Sequence, residues 1–332
     1  MAQLVFGGGT SHSPMLNCSA EDWPRHIERD PDLAFIDREG RPVRYAEVLA
    51  QADPRIASEF MTPASFRARY DASQAALDRL AKGIADARLD ALLVVGDDQQ
   101  EMFNEHNMPA FSLYWGATIR NGRAADRPMR QPAWFGEALR KYSEPETARD
   151  YPVAQPLAKH LIAELMRAEF DLSTSASLLD GQSESHAVGF VHRRLMGAQP
   201  VPVVPVLINT YYPPNQPGAA RCYKFGAALA AAVRAFPGDA RVGVLASGGL
   251  SHFTVEEDRD RALVAALEAA DGPALCALRD ADLQSGHSEI RNWVCVAGAM
   301  GGRGMAWVEY IPGYRTPAGS GIGLCFAQWQ AG

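Results

Sequence analysis

Five short polar segments interrupt the apolar runs of this chain, and each carries side chains that can bind a metal ion or move a proton. They are GGGTSHSP with His12, VVGDDQQEMF with Asp97, Asp98, Gln99 and Glu101, GQSESHAVGF with His186, SGGLSH with His252, and HSEIRNW with Glu289. A neutral imidazole offers a nitrogen lone pair to a divalent ion and titrates near neutrality. Adjacent carboxylates at a strand end suit a hard metal ion. Each segment alone has a plainer reading. His12 could bond loop backbone, Asp97-Asp98 could cap a turn, and Gly248-Gly249 could be a turn signal. Glu289 could complement a helix dipole. Together, histidine, carboxylate and amide groups at several strand ends form the facial set of N/O ligands, with open positions, that a mononuclear non-haem iron site needs.

The elements that would position these groups alternate between short apolar runs and longer helical patterns. Residues 4–9 read as a first strand leading into a Gly-rich turn, and residues 91–95, 111–115, 201–209, 242–247 and 306–311 as further strands. Pro202 and Pro205 suggest bulge or edge character for 201–209. Thr62 and Pro63 open a helix whose apolar stripe is Phe66, Tyr70, Leu77, Leu80 and Ile84. Residues 155–169, 186–197 (closed by Gly197), 217–236 and 255–283 are helical, and a last helix begins near Glu289. Residues 20–60, with turns at Asp30-Pro31, Glu39-Gly40 and Asp53-Pro54, read as an inserted loop with short helices, and residues 117–152 as a surface excursion. This order predicts one α/β domain over 1–332, with a central mixed β-sheet flanked by helices and a helical insertion near 20–60.

Composition bounds the function. The chain has 332 residues, eight histidines and a formal net charge of -7 from 32 Lys+Arg and 39 Asp+Glu. An acidic surface disfavours nucleic acid as a partner. No run approaches the about 20 apolar residues of a membrane span. The five scattered cysteines contain no CxxC and argue for a reducing compartment. With no signal-peptide pattern at the N-terminus, a cytoplasmic location is expected. GGGTSH is not GxGxxG, which disfavours a dinucleotide enzyme.

GTSHSPML, ASGGLSH at 246–252 and SEIRNWVCVAGAM at 288–300 resemble the class III extradiol ring-cleavage dioxygenases, the protocatechuate 4,5-dioxygenase β-subunit family. NMPAFSLYWG at 107–116 and LINTYYPPNQP at 207–217 resemble two further segments of that family. The resemblance runs from His12 to about residue 300. It implies a non-haem Fe(II) enzyme that opens a catechol-type aromatic ring with O2. It implies His12 and Glu289 as metal ligands, His252 as acid/base, and His186 as a further acid/base group. Asn209, Tyr211 and Tyr212 would line the substrate pocket. A carboxylated substrate would want a cation, for which Arg291, Arg303 and Arg315 are candidates. The resemblance also implies a homo-oligomer, such as a dimer, or pairing with a small helical subunit.

One position departs from the pattern. Gln99, after Asp98 and four residues before Phe103, stands where the family has its second iron-binding histidine. An amide oxygen is a weaker, neutral ligand. Either Gln99 ligates, or Asp98 or Glu101 replaces it, or His106 reaches in, or the metal is lost. Two other readings therefore stand beside the dioxygenase. One is a metal-dependent hydrolase, or an oxidation of a non-catechol substrate, on oxygen-rich ligands. The other is a binding protein with a degenerate iron site.

Overall fold

The computed structural model describes residues 1–37, 41–130 and 132–330. Nine strands form one mixed sheet. They are β1 (Gln3–Thr10), β2 (Ala91–Gly96), β3 (Phe111–Tyr114), β4 (Ser173–Ser175), β5 (Val203–Ile208), β6 (Arg241–Ser247), β7 (His252–Thr254), β8 (Met305–Tyr314) and β9 (Ser320–Trp329). Their order is β7-β9-β1-β6-β2-β5-β3-β4, with β8 paired to β9. The four central strands β1, β6, β2 and β5 run parallel. Every residue of β2 and β5 is buried, as continuous apolar runs require of strands covered on both faces.

Alternation assigns the two faces. Leu93 and Val95 join one apolar cluster, under helices α2 (Gln155–Arg167), α3 (Ala219–Ala235) and α4 (Ile290–Met300). Leu92 and Val94 join the other, under the long helix α1 (Pro63–Asp86). The Thr62 hydroxyl caps that helix by accepting from the Ser65 amide. Phe66, Leu77, Leu80 and Ile84 of the expected stripe are buried, with Ser73 in the gap. Each buried aliphatic side chain contributes about 1.5–3 kcal/mol, so these two layers hold the sheet rigid beneath whatever sits at its edge.

Several local expectations change. The glycines at 7–9 lie inside β1 and not in a turn. A Cβ on Gly9 would stand 2.3 Å from Trp293, so the missing side chains let α4 press directly onto the strand. The 201–209 run is an interior strand, not an edge. Pro205 is tolerated because the register with β3 stops at Val206, where the ladder no longer needs a donor. Strand β9 has no counterpart among the expected strands, and β8 pairs with it. The 186–197 segment is an α-turn of His186–Phe190 followed by a π-turn of Val191–Leu195, and it ends at Met196 without Gly197 as cap. The 255–283 helix is broken into Glu257–Glu268, Gly272–Cys276 and Asp280–Asp282. Residues 117–152 are no mere surface excursion, since Ile119, Tyr142 and Tyr151 are buried. The Glu39-Gly40 turn lies outside the described residues.

The insertion is tied down by a buried ion pair. Arg315 Nε donates to Asp30 Oδ2 at 2.9 Å, and the Ser320 hydroxyl donates to the same oxygen at 2.7 Å. Burial alone would raise the Asp30 carboxyl, but Arg315, His26 and Ser320 hold it well below the usual carboxylate range. A depressed folded-state pKa gives stability that is present above the unfolded value near 3.9 and lost as pH falls through the folded one. Asp30→Asn should therefore cost about 3–5 kcal/mol at pH 7, because it strands a buried guanidinium. It should also blunt the further loss of stability on acidification below about pH 4. Denaturant melts of both proteins at pH 7 and pH 3 check this, and parallel acid profiles would refute it.

Candidate functional site

The carboxyl ends of parallel strands are where an open α/β sheet gathers polar groups. Here β1 delivers His12, β2 delivers Asp97, and the loop after β6 delivers His252. His186 starts a helix beside them, and Glu289 is the residue that caps α4. All of these except the partly exposed His186 are buried.

His12 is the common vertex. Its Nε2 lies 3.2 Å from His186 Nε2, 3.4 Å from Glu289 Oε2 and 3.9 Å from Asp97 Oδ1. Its Nδ1 is 3.0 Å from the Ser247 hydroxyl, which itself donates to the Ala187 carbonyl at 2.8 Å. The hydroxyl proton is thus committed, so Ser247 accepts from Nδ1–H and Nε2 keeps its lone pair. The Tyr142 hydroxyl donates to the His12 carbonyl and fixes the backbone.

His186 is arranged the same way. Its Nδ1 faces Glu101 Oε2 at 2.8 Å, and its Nε2 faces His12 and, at 3.9 Å, Asp97 Oδ2. Burial would lower its pKa, but Glu101, with Asp97 and Glu289 behind it, raises it to about 10. Burial and the Glu289 charge push the Asp97 carboxyl up. Glu289 is held down despite burial, by His252, His12 and the Gly249 amide that donates to Oε2 at 2.6 Å.

The two Nε2 atoms face each other beside an Asp97 Oδ2 that is buried without a hydrogen-bond partner, so imidazole nitrogen and carboxylate oxygen converge on one pocket. Ligand atoms of His12, Asp97 and His186 all lie within 4.8 Å of one another and could hold a metal ion. The donor set of imidazole and carboxylate suits a first-row divalent ion, so the residues present fit such a group.

His252 approaches from the other side, with Nε2 3.6 Å from Glu289 Oε2. Its Nδ1 bonds the Leu250 carbonyl at 3.0 Å, which leaves Nε2 as the proton acceptor. Burial lowers its pKa, so the ring is neutral at neutral pH. The ring folds back over Gly249, where a Cβ would stand 2.4 Å from Cε1. Asp260 holds this loop by accepting from the Ser251 amide at 3.0 Å and hydroxyl at 2.6 Å.

The structure separates the remaining candidates. Gln99 and His106 are exposed. Asp98 turns back to accept the Met102 and Phe103 amides at 2.9 and 3.0 Å, as a turn cap. Asp97, one residue earlier, points into the cluster instead. Asn209 accepts the Tyr212 amide at 2.9 Å and donates to the Tyr212 carbonyl at 2.6 Å, so it shapes the tyrosine loop. Tyr211 lies in the field of Glu289 and Asp97, with Ser285 against its hydroxyl. The three candidate cations are engaged elsewhere. Arg291 donates to the Pro217, Thr210 and Leu283 carbonyls, Arg303 to the Leu4 carbonyl, and Arg315 to Asp30.

A cleft of about 820 Å3 opens beside the cluster, lined by Glu101, Arg120, Arg127, Gln182 and Glu184 among others. Glu101 is the contact between that cleft and His186. A second cavity, of about 880 Å3, lies between the insertion and the segment after β7, around Arg41, Glu47, Arg55 and Arg261. It does not include the histidines. No helix among the described residues is long and apolar enough to cross a membrane.

Sequence comparison gives the site a context. A family model described as the catalytic LigB subunit of aromatic ring-opening dioxygenase matches residues 133–325, more than half of the chain. A stretch of 99 residues is 33% identical to a gallate dioxygenase of Pseudomonas putida. That match covers 29% of this chain and 28% of the relative.

Proposed function

Because the chain belongs to the family of catalytic LigB subunits of aromatic ring-opening dioxygenases, we propose that it opens a catechol-type aromatic ring with O2 at an Fe(II) centre held by His12, His186, Asp97 and Glu289. The observation that carries this reading is the pair of Nε2 atoms 3.2 Å apart beside the unpartnered Asp97 oxygen. When bound, the ion supplies the Lewis acidity that acidifies a catechol hydroxyl and the electronic link between the diol and O2.

The chain's own residues do the rest. His252 takes the second hydroxyl proton at Nε2, because Nδ1 is engaged with the Leu250 carbonyl. The same nitrogen returns the proton as the ring opens. Glu289, charged and 3.6 Å away, stabilises the imidazolium that forms in between. Tyr211, in the field of Glu289 and Asp97, and Tyr212 beside it would line the aromatic substrate, and the burial of His12, Asp97 and Glu289 limits bulk water there. The resemblance places a ligand at Gln99. Its exposed position supports the assignment of that role to His186 with Asp97.

Anaerobically purified protein loaded with Fe(II) should consume O2 with one member of a panel of catechols, gallates and aminophenols, and form a yellow product. Gln99→Ala should leave metal affinity and turnover within about twofold, as for a surface change away from such features. Zinc in the native protein with no O2 uptake would favour the hydrolase. Loss of metal in Gln99→Ala would return the ligand role to that residue.

A further inference from the structure

Glu101 makes an arrangement that the ring-opening chemistry does not itself use. Its Oε2 accepts two hydrogen bonds from one residue, the His186 backbone amide at 2.8 Å and the His186 Nδ1 at 2.8 Å. Its Oε1 faces Arg127 at 3.8 Å, and the Ser143 hydroxyl accepts from Arg127 Nε at 2.6 Å. The carboxylate is therefore held from both sides. It stands behind the imidazole, on the edge opposite Nε2, and so it reaches the cluster only through the ring. Ser185, the residue before the helix, makes no side-chain cap, so the backbone bond from Glu101 also fixes where the helix starts.

We infer that Glu101 is a positioning residue that sets the ring orientation and tautomer of His186, so that Nε2 is presented to a divalent ion alongside His12. The inference rests on the reading of His186 as a metal ligand. A carboxylate behind a ligating imidazole raises its basicity and locks its rotation, and removing such a partner costs about 10–100-fold in metal affinity. Arg127 acts one step further out, facing the other carboxylate oxygen from the cleft side. This assigns Glu101 a different part from a direct ligand, and it explains why an acid sits at the inner end of the cleft.

Cobalt(II) titrated into metal-stripped full-length protein tests this, with ligand-field absorption and calorimetry as readouts. The proteins are wild type, Glu101→Ala, Glu101→Gln and His186→Ala. The expected result is an affinity loss of about 10–100-fold in Glu101→Ala, smaller in Glu101→Gln because its amide oxygen still accepts from Nδ1–H. The metal-free melting temperature of Glu101→Gln should match wild type, and its cobalt spectrum should keep the wild-type band positions. Wild-type affinity in both Glu101 variants, with loss in His186→Ala, overturns the role of Glu101 alone. Equal loss of metal-free stability and affinity in both Glu101 variants would make the residue a helix cap only, and also overturns it. Unchanged binding in His186→Ala, or no binding by wild type, removes the reading of the metal site, and this inference with it.

Discussion

His12→Ala should lose its metal and its turnover together while the chain stays folded. Nε2 of His12 is placed against His186, Glu289 and Asp97 at once, at 3.2, 3.4 and 3.9 Å. Without it, no imidazole bridges the two carboxylates, and Asp97 and Glu289 remain as like charges in a buried pocket. Asp97, already pushed up by burial and Glu289, should then take a proton more readily, which further weakens the ligand set. Metal affinity should fall by more than the roughly 100-fold seen when only a supporting partner of a ligand is removed. Turnover should fall by about 10³-fold or more, the equivalent of the several kcal/mol that a bound ion contributes to charge stabilisation. The backbone should survive, because the bond from the Tyr142 hydroxyl ends on the His12 carbonyl and not on its ring. Iron content, O2 uptake and the metal-free melting temperature check the three parts. Retained iron with lost turnover would make His12 an acid/base group and place the ion elsewhere.

The sequence carried the scaffold well where one physical signal dominated. Short apolar runs bounded by turn signals, such as 91–95 and 242–246, read as strands buried on both faces, and both are. The N-cap at Thr62 followed by Pro63 marks a helix start by local chemistry alone. Strand β9 was illegible because Ile322, Leu324 and Phe326 alternate with the small Gly321, Gly323, Cys325 and Ala327, a large/small pattern without the polar/apolar alternation that marks a half-buried strand. Its strand character comes from pairing with both β1 and β8, a tertiary effect. The role of 117–152 was hidden for a similar reason. Its Arg-, Gly- and Pro-rich composition looks solvated, yet it delivers Tyr142 to the back of His12.

The site was partly legible. His12, His186, His252 and Glu289 stand at element ends, and the fold draws them together there. The choice among 97, 98, 99, 101 and 106 was not legible from spacing. One residue of offset at a strand end reverses the side-chain direction. Asp97 follows β2 and faces the cluster, whereas Asp98 caps the turn to Met102 and Phe103. Glu101 comes back into reach only because that turn reverses the chain, and then from behind His186. A ligand count made along the sequence could not register that reversal.

His252→Gln should separate proton transfer from metal binding. The side chain of His252 touches Glu289 at 3.6 Å and does not belong to the set of groups gathered around Asp97. Metal affinity should therefore stay within several-fold of wild type. Glutamine fills similar space over Gly249, where the loop leaves no room for a backbone substituent, so the loop held by Asp260 should keep its course. What the variant lacks is a group that accepts and returns a proton near neutrality. Positioned acid/base groups contribute about 10²–10⁴-fold, and kcat should fall by that amount with KM for the aromatic little changed. His186→Ala should behave in the opposite sense and lose metal first, because its Nε2 and not its acidity is the contribution. Parallel measurement of kcat, KM and bound iron in the two variants reads this directly. If His252→Gln lost iron while His186→Ala kept it, the ligand and acid/base roles of the two histidines would have to be exchanged.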